Sequence, residues 1–470
     1  MTIYSMTADD SVIAIEAAGS PGTGWTSAPD LQSVIDIARS AELPLFLRAG
    51  TFVSSKIDIT TSTGSGNSLY MWAVPGTVTI QLSQDDDYLI GIDSVGQVRL
   101  SGITFDGAGH NLTASTNPGL IRIEGWDAAD FQISDCRVSN STKNGISVLS
   151  VGSGTIANNR IEVCDTAIVS LDSVTQIEDN TINWMNNNGI MVWTSTLTGN
   201  GTVIKNNSIQ GIENDDGGSG QYGNGINVYR AGNVKVLSNS IYSTKFSAIR
   251  LNAASNGQVS NNYCWSLRET AIFLEAPGEG ENLYGGIVTD NTIITAGAGI
   301  SVANSGLYGD GAALGVVVAN NRISDMTRNV LEDAGYTTSG LGIAVEGRCD
   351  VSSNLVDGTE GPGIVLGVND AARDLSAVGN IVFNAPMSIA YSANSAAGPL
   401  IVVGNLLRGY NVVTSTSDPD YPVSGAIVSA SFNGTSLGRD TNGSSPNTDY
   451  GNATQTAVGN LTVGNNRADP

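Results

Sequence analysis

Two short motifs alternate along most of this chain, and a chain that repeats them has little choice but to stack in coils. The first is a small residue, then Ile, then any residue, then Val or Leu. It supplies Ile146, Ile168, Ile190, Ile226, Ile249, Ile272, Ile300, Ile343, Ile364 and Ile389. Two residues on stand Val148, Val192, Val228, Leu251, Leu274, Val302, Val345 and Leu366, with Ser170 and Tyr391 as exceptions. Alternation with period two is the signature of a strand with one buried face. The second motif is Asn, any residue, then an apolar one. It supplies Asn159, Asn180, Asn207, Asn239, Asn262, Asn291, Asn321, Asn354, Asn380 and Asn405.

The spacing predicts stacking. If each coil places like over like, about 4.8 Å apart, the isoleucines fill a long interior. Asn tolerates the backbone angles of a sharp turn and can bond neighbouring amides. A column of asparagines then satisfies turn groups that a narrow core would otherwise strand. This column is structural and is assigned no chemistry. Cys264 falls in the apolar column and reads as core. The predicted fold is all-β: a single-stranded right-handed parallel β-helix, a solenoid of about a dozen coils.

The ends fit the same scheme. Residues 30–40 carry apolar positions at helical spacing, which predicts an α-helix capping the open N-terminal end, where unpaired strands invite aggregation. The expected organisation is an N-terminal arm over 1–27, a β-helix over 28–409, and an irregular C-terminal cap over 410–470 within the same domain.

Composition removes several function classes. The formal net charge is −23, with 21 Lys and Arg against 44 Asp and Glu. A nucleic-acid partner needs a basic face, and none appears. No apolar run is long enough to span a membrane. The four cysteines form no CxxC or Cys/His cluster and the chain holds one histidine, His110, so no metal site is expected. No cofactor is expected, although Ca²⁺ remains open. The segment Met1–Ser5 has neither a basic region nor an apolar stretch. The expected setting is extracellular or periplasmic, as a mature exported form.

Two segments are more specific, the run from Gly217 to Asn233 and Phe246-Ser-Ala-Ile-Arg-Leu-Asn-Ala-Ala-Ser-Asn. With the Asn column and the N-terminal helix, they resemble the pectate-lyase-like superfamily of right-handed β-helices. More narrowly they resemble a bacterial family of twin-arginine-translocated repeat proteins. The resemblance runs from about residue 28 onward. It implies the fold and an exported setting, and supplies no reaction. The superfamily includes lyases, hydrolases, epimerases, tailspikes and adhesins. The Gly-His-Gly segment of polygalacturonase-type hydrolases and the Asp-Pro-His-Glu signature of alginate epimerases are both absent here.

The isoleucine column is also a ruler. The steps from Ile190 to Ile226, Ile272 to Ile300 and Ile300 to Ile343 exceed the rest, and extra residues in a solenoid leave as loops, often over a binding face. Within this window the outward positions include Trp193, Asn227, Tyr229, Arg250, Asn252, Phe273, Glu275 and Glu346. Outside it the pairs are blander, apart from Arg122 and Glu124. An exposed strip of aromatic, amide and charged residues suits a polysaccharide or oligosaccharide: rings stack on pyranose faces while polar groups bond hydroxyls. Glu275, Arg250 and Tyr229 are the catalytic candidates. Trp193, Asn227, Asn252, Phe273, Glu346, Tyr222, Asp215 and Asp216 are the substrate-binding candidates, the last three from a loop roofing the strip. Paired carboxylates suit glycoside hydrolysis, while Arg beside Tyr suits a lyase. The plainer alternative is that the long loops cover the strip as packing. The expected function is therefore a polysaccharide lyase or glycoside hydrolase acting on an extracellular polysaccharide. Its rival is a non-catalytic surface, matrix or tailspike-like glycan-binding protein, trimeric if tailspike-like.

Overall fold

The computed structural model describes residues 2–4, 13–16, 26–27, 31–40, 42–60, 68–125, 130–217, 221–276, 283–304, 314–332, 335–367, 372–392, 399–410, 425–430, 455–458 and 461–469. Strands dominate, they pair in parallel from coil to coil, and the architecture is a right-handed parallel β-helix. Contacts divide the chain into two compact units, Met1–Ser195 with Asn200–Glu213, and Thr196–Gly199 with Asn214–Pro470.

The second unit shows the coil plainly. One coil runs through Gly257–Ser260, Tyr263–Trp265 and Thr270–Glu275. The next runs through Tyr284–Thr289, Thr292–Ala296 and Ala298–Ala303. Each strand pairs in parallel with its counterpart. Ile226, Ile249, Ile272, Ile300, Ile343, Ile364 and Ile389 stack in register, all buried. In the first unit the column begins earlier than the sequence motif suggested. Ile57, Ile90 and Ile121 precede Ile146, Ile168 and Ile190 in one stack.

The asparagines form ladders. In the first unit Asn159 donates from its backbone and side-chain nitrogens to Asn180 Oδ1 at 3.0 Å, and Asn180 does the same to Asn207. In the second, Asn239, Asn262, Asn291, Asn321, Asn354, Asn380, Asn405 and Asn466 repeat the pattern. The second amide hydrogen of Asn262 reaches Val236 O at 2.9 Å. The residue before each rung takes a left-handed conformation, as at Asn261 (φ 58°), Asp290 (φ 60°) and Asn320 (φ 57°). Asn and Asp adopt that region more readily than bulky side chains. Asn262→Ala strands buried amide and carbonyl groups on both neighbouring coils, so it is expected to cost about 1–3 kcal/mol. A denaturation midpoint equal to that of the parent chain would contradict this account of the ladder.

The helix spans Leu31–Ser40 and buries Leu31, Val34, Ile35 and Ala38. Its capping action is specific. Gln32 Oε1 accepts from Asp58 N at 2.7 Å, and Gln32 Nε2 donates to Asp58 O at 2.7 Å. One side-chain amide thus imitates the missing strand on the edge formed by Ile57–Thr60. Arg39 adds a bond to Thr60 O at 3.0 Å.

Both ends depart from expectation in the same direction, toward more coil. The arm is part of the sheet: Thr2–Tyr4 pairs antiparallel with Ile13–Glu16, which pairs in parallel with Leu45–Leu47. In the tail, Ile427 extends the isoleucine column from Ile389. Leu461–Gly464 and Arg467–Asp469 add strands on Leu400–Val403 and Leu406–Arg408, with Asn466 as the further rung. Most of the remaining tail lies outside the described residues.

Candidate functional site

The site is built on the isoleucine strands of the second unit. Alternation puts Ile249 and Leu251 inside, so Arg250 and Asn252 point outward on Ile249–Asn252. Register sets Asn227 beside Arg250, Arg250 beside Phe273, and Tyr229, Asn252 and Glu275 in one column. The offset between neighbouring coils lets Arg250 reach diagonally to Glu275. Arg250 Nε donates to Glu275 Oε1 at 2.8 Å and the second terminal nitrogen, NH2, lies 2.7 Å from the same oxygen. Nε also approaches Asn252 Oδ1 at 3.4 Å, and the guanidinium sits 5.0 Å from the centre of the Phe273 ring.

A second carboxylate shares the cation. Glu269 Oε2 lies 3.9 Å from Arg250 NH1 and accepts from Ser247 Oγ at 2.8 Å. Its other oxygen accepts from the Tyr336 hydroxyl. Tyr336 arrives on the long insertion between Ile300 and Ile343, folded as a hairpin that pairs Val330–Leu331 with Tyr336–Thr337. The hairpin is tied down by Arg268 NH2 to Val330 O at 2.9 Å and by Asn329 Nδ2 to Arg268 O at 3.1 Å.

These contacts correct the exposed strip. Asn227, Arg250, Asn252 and Glu346 are all buried, while Tyr229, Phe273, Glu275 and Tyr222 are half-buried. The hairpin carrying Tyr336 and the loop returning through Gln221 lie against the strip, and most of its polar groups find partners there. Asp215 and Asp216 remain exposed. The loop they belong to returns through Gln221, whose carbonyl accepts from Asn227 Nδ2 at 3.0 Å. Gly218 to Gly220 of the expected roof lie outside the described residues. Trp193 belongs to the first unit and is exposed. Arg122 and Glu124 pair with each other, Nε to Oε2 at 2.9 Å. Sequence reasoning missed Glu269, Ser247 and Tyr336.

Burial sets the electrostatics. It opposes the charge of Arg250, but Glu275 and Glu269 outweigh it and hold the guanidinium protonated. Burial lifts the Glu275 carboxyl above the ordinary carboxylate range, against the pull of Arg250. Burial and Glu269 together push the Tyr336 phenol up, so it stays a donor. One donor and one acceptor are left over: Arg250 NH1 and Asn227 Oδ1 are buried without hydrogen-bond partners among the described residues, on residues adjacent in register. A hydroxyl, which both donates and accepts, is the complement of that pair.

Among the described residues, no group of three or more His, Cys, Asp or Glu could hold a metal ion. All four cysteines are buried and free, and burial pushes each thiol up to about 12, away from nucleophilic use. The His110 ring lies 3.4 Å from Asp85, through Nδ1. No described helix is long and apolar enough to cross a membrane. A cavity of about 230 Å³ in the second unit is lined by residues including Arg230, Asn233, Asn256 and Tyr284. Another of about 320 Å³ in the first is lined by Glu42, Tyr70, Trp72 and Arg99 among others.

Residues 97–222 and 164–308 match the family described as a right handed beta helix region. This supports the superfamily, while the narrower resemblance to the twin-arginine-translocated repeat family rests on its two sequence segments alone. No curated protein sequence matches the chain. Among solved structures, the chain is similar to the catalytic unit of an α-1,3-glucanase from Streptomyces thermodiastaticus at 12% identity and a TM-score of 0.45. That match covers 86% of this chain but only 62% of the glucanase unit. It is similar to the A-module of a mannuronan C-5 epimerase from Azotobacter vinelandii at 15% identity and a TM-score of 0.44, covering 80% of this chain and 93% of the module. It is similar to the Dettilon tailspike protein at 14% identity and a TM-score of 0.39, covering 89% and 68%. Likeness of this degree leaves substrate and chemistry to this chain's own residues.

Proposed function

We propose that this right-handed parallel β-helix is a carbohydrate-active protein of an extracellular or periplasmic setting that hydrolyses glycosidic bonds in a polysaccharide. The observation that carries the reading is the pair of unsatisfied groups beside the carboxylates. Arg250 NH1 and Asn227 Oδ1 are buried without hydrogen-bond partners among the described residues, and leaving such groups unmade costs about 1–3 kcal/mol each. A sugar hydroxyl supplies both bonds at once. The carboxyl of Glu275, lifted by burial, is the group suited to protonate a leaving oxygen. Glu269 supplies the second carboxylate that glycoside hydrolysis uses. A lyase fits less well, because the charge of Arg250 is already committed to Glu275 and Glu269 and is not free to neutralise a uronate.

A non-catalytic glycan-binding role is the second reading, and one contact favours it: Tyr336 closes over Glu269. A panel of neutral and anionic polysaccharides separates the two, read for new reducing ends and for the ultraviolet absorbance of unsaturated uronides. Hydrolysis predicts reducing ends without that absorbance, and at least about a 10²-fold loss in Glu275→Gln, the usual size of a general-acid contribution. Unsaturated product would indicate a lyase. Binding with no cleavage of any polymer would leave the non-catalytic role.

A further inference from the structure

We propose that Tyr242, Tyr263 and Trp265 form a separate glycan-binding surface, on the strands that follow the asparagine rungs, which takes the faces of uncharged pyranose residues. The inference rests on a carbohydrate ligand for this chain but not on cleavage. The three side chains lie on neighbouring coils of the second unit, on Ser240–Thr244 and Tyr263–Trp265. Ile241 and Cys264 point inward between them and are buried. Register places Tyr263 beside Ser240, and Tyr242 beside Trp265.

These rings are not packing. Tyr242 is 39% exposed, Tyr263 42% and Trp265 44%. The Tyr242 and Trp265 rings lie 4.7 Å apart and are inclined by 32°, so each steadies the other while both stay partly exposed to solvent. None of the three makes a side-chain hydrogen bond among the described residues, which leaves two phenol groups and an indole N–H available. The strands beneath are held by the ladder through Asn239 and Asn262, so the platform is rigid before anything binds, and a rigid aromatic loses little entropy on contact. The outward positions beside them in register are Ser240, Thr292 and Ile294, none of them charged, and one coil further stand Ser324 and the exposed Arg322.

That composition selects the occupant. Exposed aromatic rings with polar edges and no charged residue directly beside them in register match the C–H face and hydroxyl rim of a neutral sugar. The chain's net charge of −23 disfavours an anionic polymer, and equally a second copy of the chain.

The test is native electrophoresis of the full chain through gels containing laminarin, dextran, xylan, galactomannan, alginate or polygalacturonate. At least one neutral polymer is expected to retard the protein. In Tyr263→Ala/Trp265→Ala the apparent affinity should fall at least about tenfold, with circular dichroism and melting unchanged because both side chains are exposed. Trp265→Phe should retain part of the retardation. Glu275→Gln should be retarded like the parent, which separates this surface from the hydrolytic site. Loss of cleavage activity across the panel would then defeat the hydrolase without touching the platform. The platform is overturned if no neutral polymer retards the chain, if the double variant is retarded as strongly as the parent, or if retardation occurs only in the anionic gels. It is overturned also if the double variant converts a dimer to a monomer on gel filtration, since the rings would then be a subunit contact.

Discussion

Arg250→Met is expected to destabilise the chain by about 3–5 kcal/mol at neutral pH, the usual cost of removing one partner from a buried ion pair. Arg250 is the single cation between two glutamates, bonded to Glu275 at 2.7 Å and facing Glu269 at 3.9 Å. Met keeps much of the volume, so the loss reports charge rather than a cavity. Its pH dependence has a definite sign. Burial already lifts Glu275 against the pull of Arg250, and removing the cation removes that opposition. The native state then holds a proton that the unfolded chain releases, so stability rises as pH falls through the raised native value. The deficit should be greatest near neutrality and shrink toward the ordinary carboxylate range. Urea midpoints of parent and variant, compared at neutral and mildly acidic pH, read both effects. A deficit that does not change with pH would mean that Glu275 and Glu269 are not the groups left stranded.

Ile249→Ala is expected to cost about 2–5 kcal/mol, because a close-packed interior collapses only partly around a lost side chain. Ile249 is fully buried and stacked between Ile226 and Ile272. In a solenoid each coil rests only on its neighbours, so the damage should also be local. Hydrogen exchange should quicken in Ile226–Tyr229 and Thr270–Glu275 and remain slow in coils near Asn405. A midpoint equal to that of the parent, or exchange quickened evenly along the chain, would contradict the stacked column.

The columns were legible because each coil contributes one Ile and one Asn at a fixed register, and a period survives changes in everything between. The period also shows where legibility ended. Ile427 follows Ala426 as the motif asks, but Ser429 stands where Val or Leu is expected, and the long non-repeating stretch after Ile389 loses the count. Asn466 is followed by Ala468, too small to register as the apolar partner. Alternation tells which side chains face inward, and so Arg250, Asn252 and Glu275 were correctly turned outward. It says nothing about whether an insertion lies on top of them, and that is why Arg250 was expected in the open. Glu269 stands just before its strand and off the ruler, and Tyr336 meets it from 67 residues away through a hairpin with no repeat of its own. Tyr263-Cys264-Trp265 did carry a signal: reading the outward partners of Cys264, and not only Cys264 itself, would have found the aromatic surface.

The ladder makes the coil a unit of exchange. Each rung meets the rungs immediately before and after it in the same sense: Asn321 donates to Asn354, and Asn354 donates to Asn380 across 26 residues. Excising those 26 residues, Asn354 to Gly379, would bring Asn380 to Asn321 with the same donors meeting the same acceptor, and Ile364 would leave as one whole layer between Ile343 and Ile389. A cut at another rung must likewise run from one Asn to the next, 33 residues from Asn321 or 25 from Asn380, to keep the ladder in step. The molecule is therefore quantised in coils and not in residues, and deletions or duplications of whole coils are the changes its fold is built to tolerate.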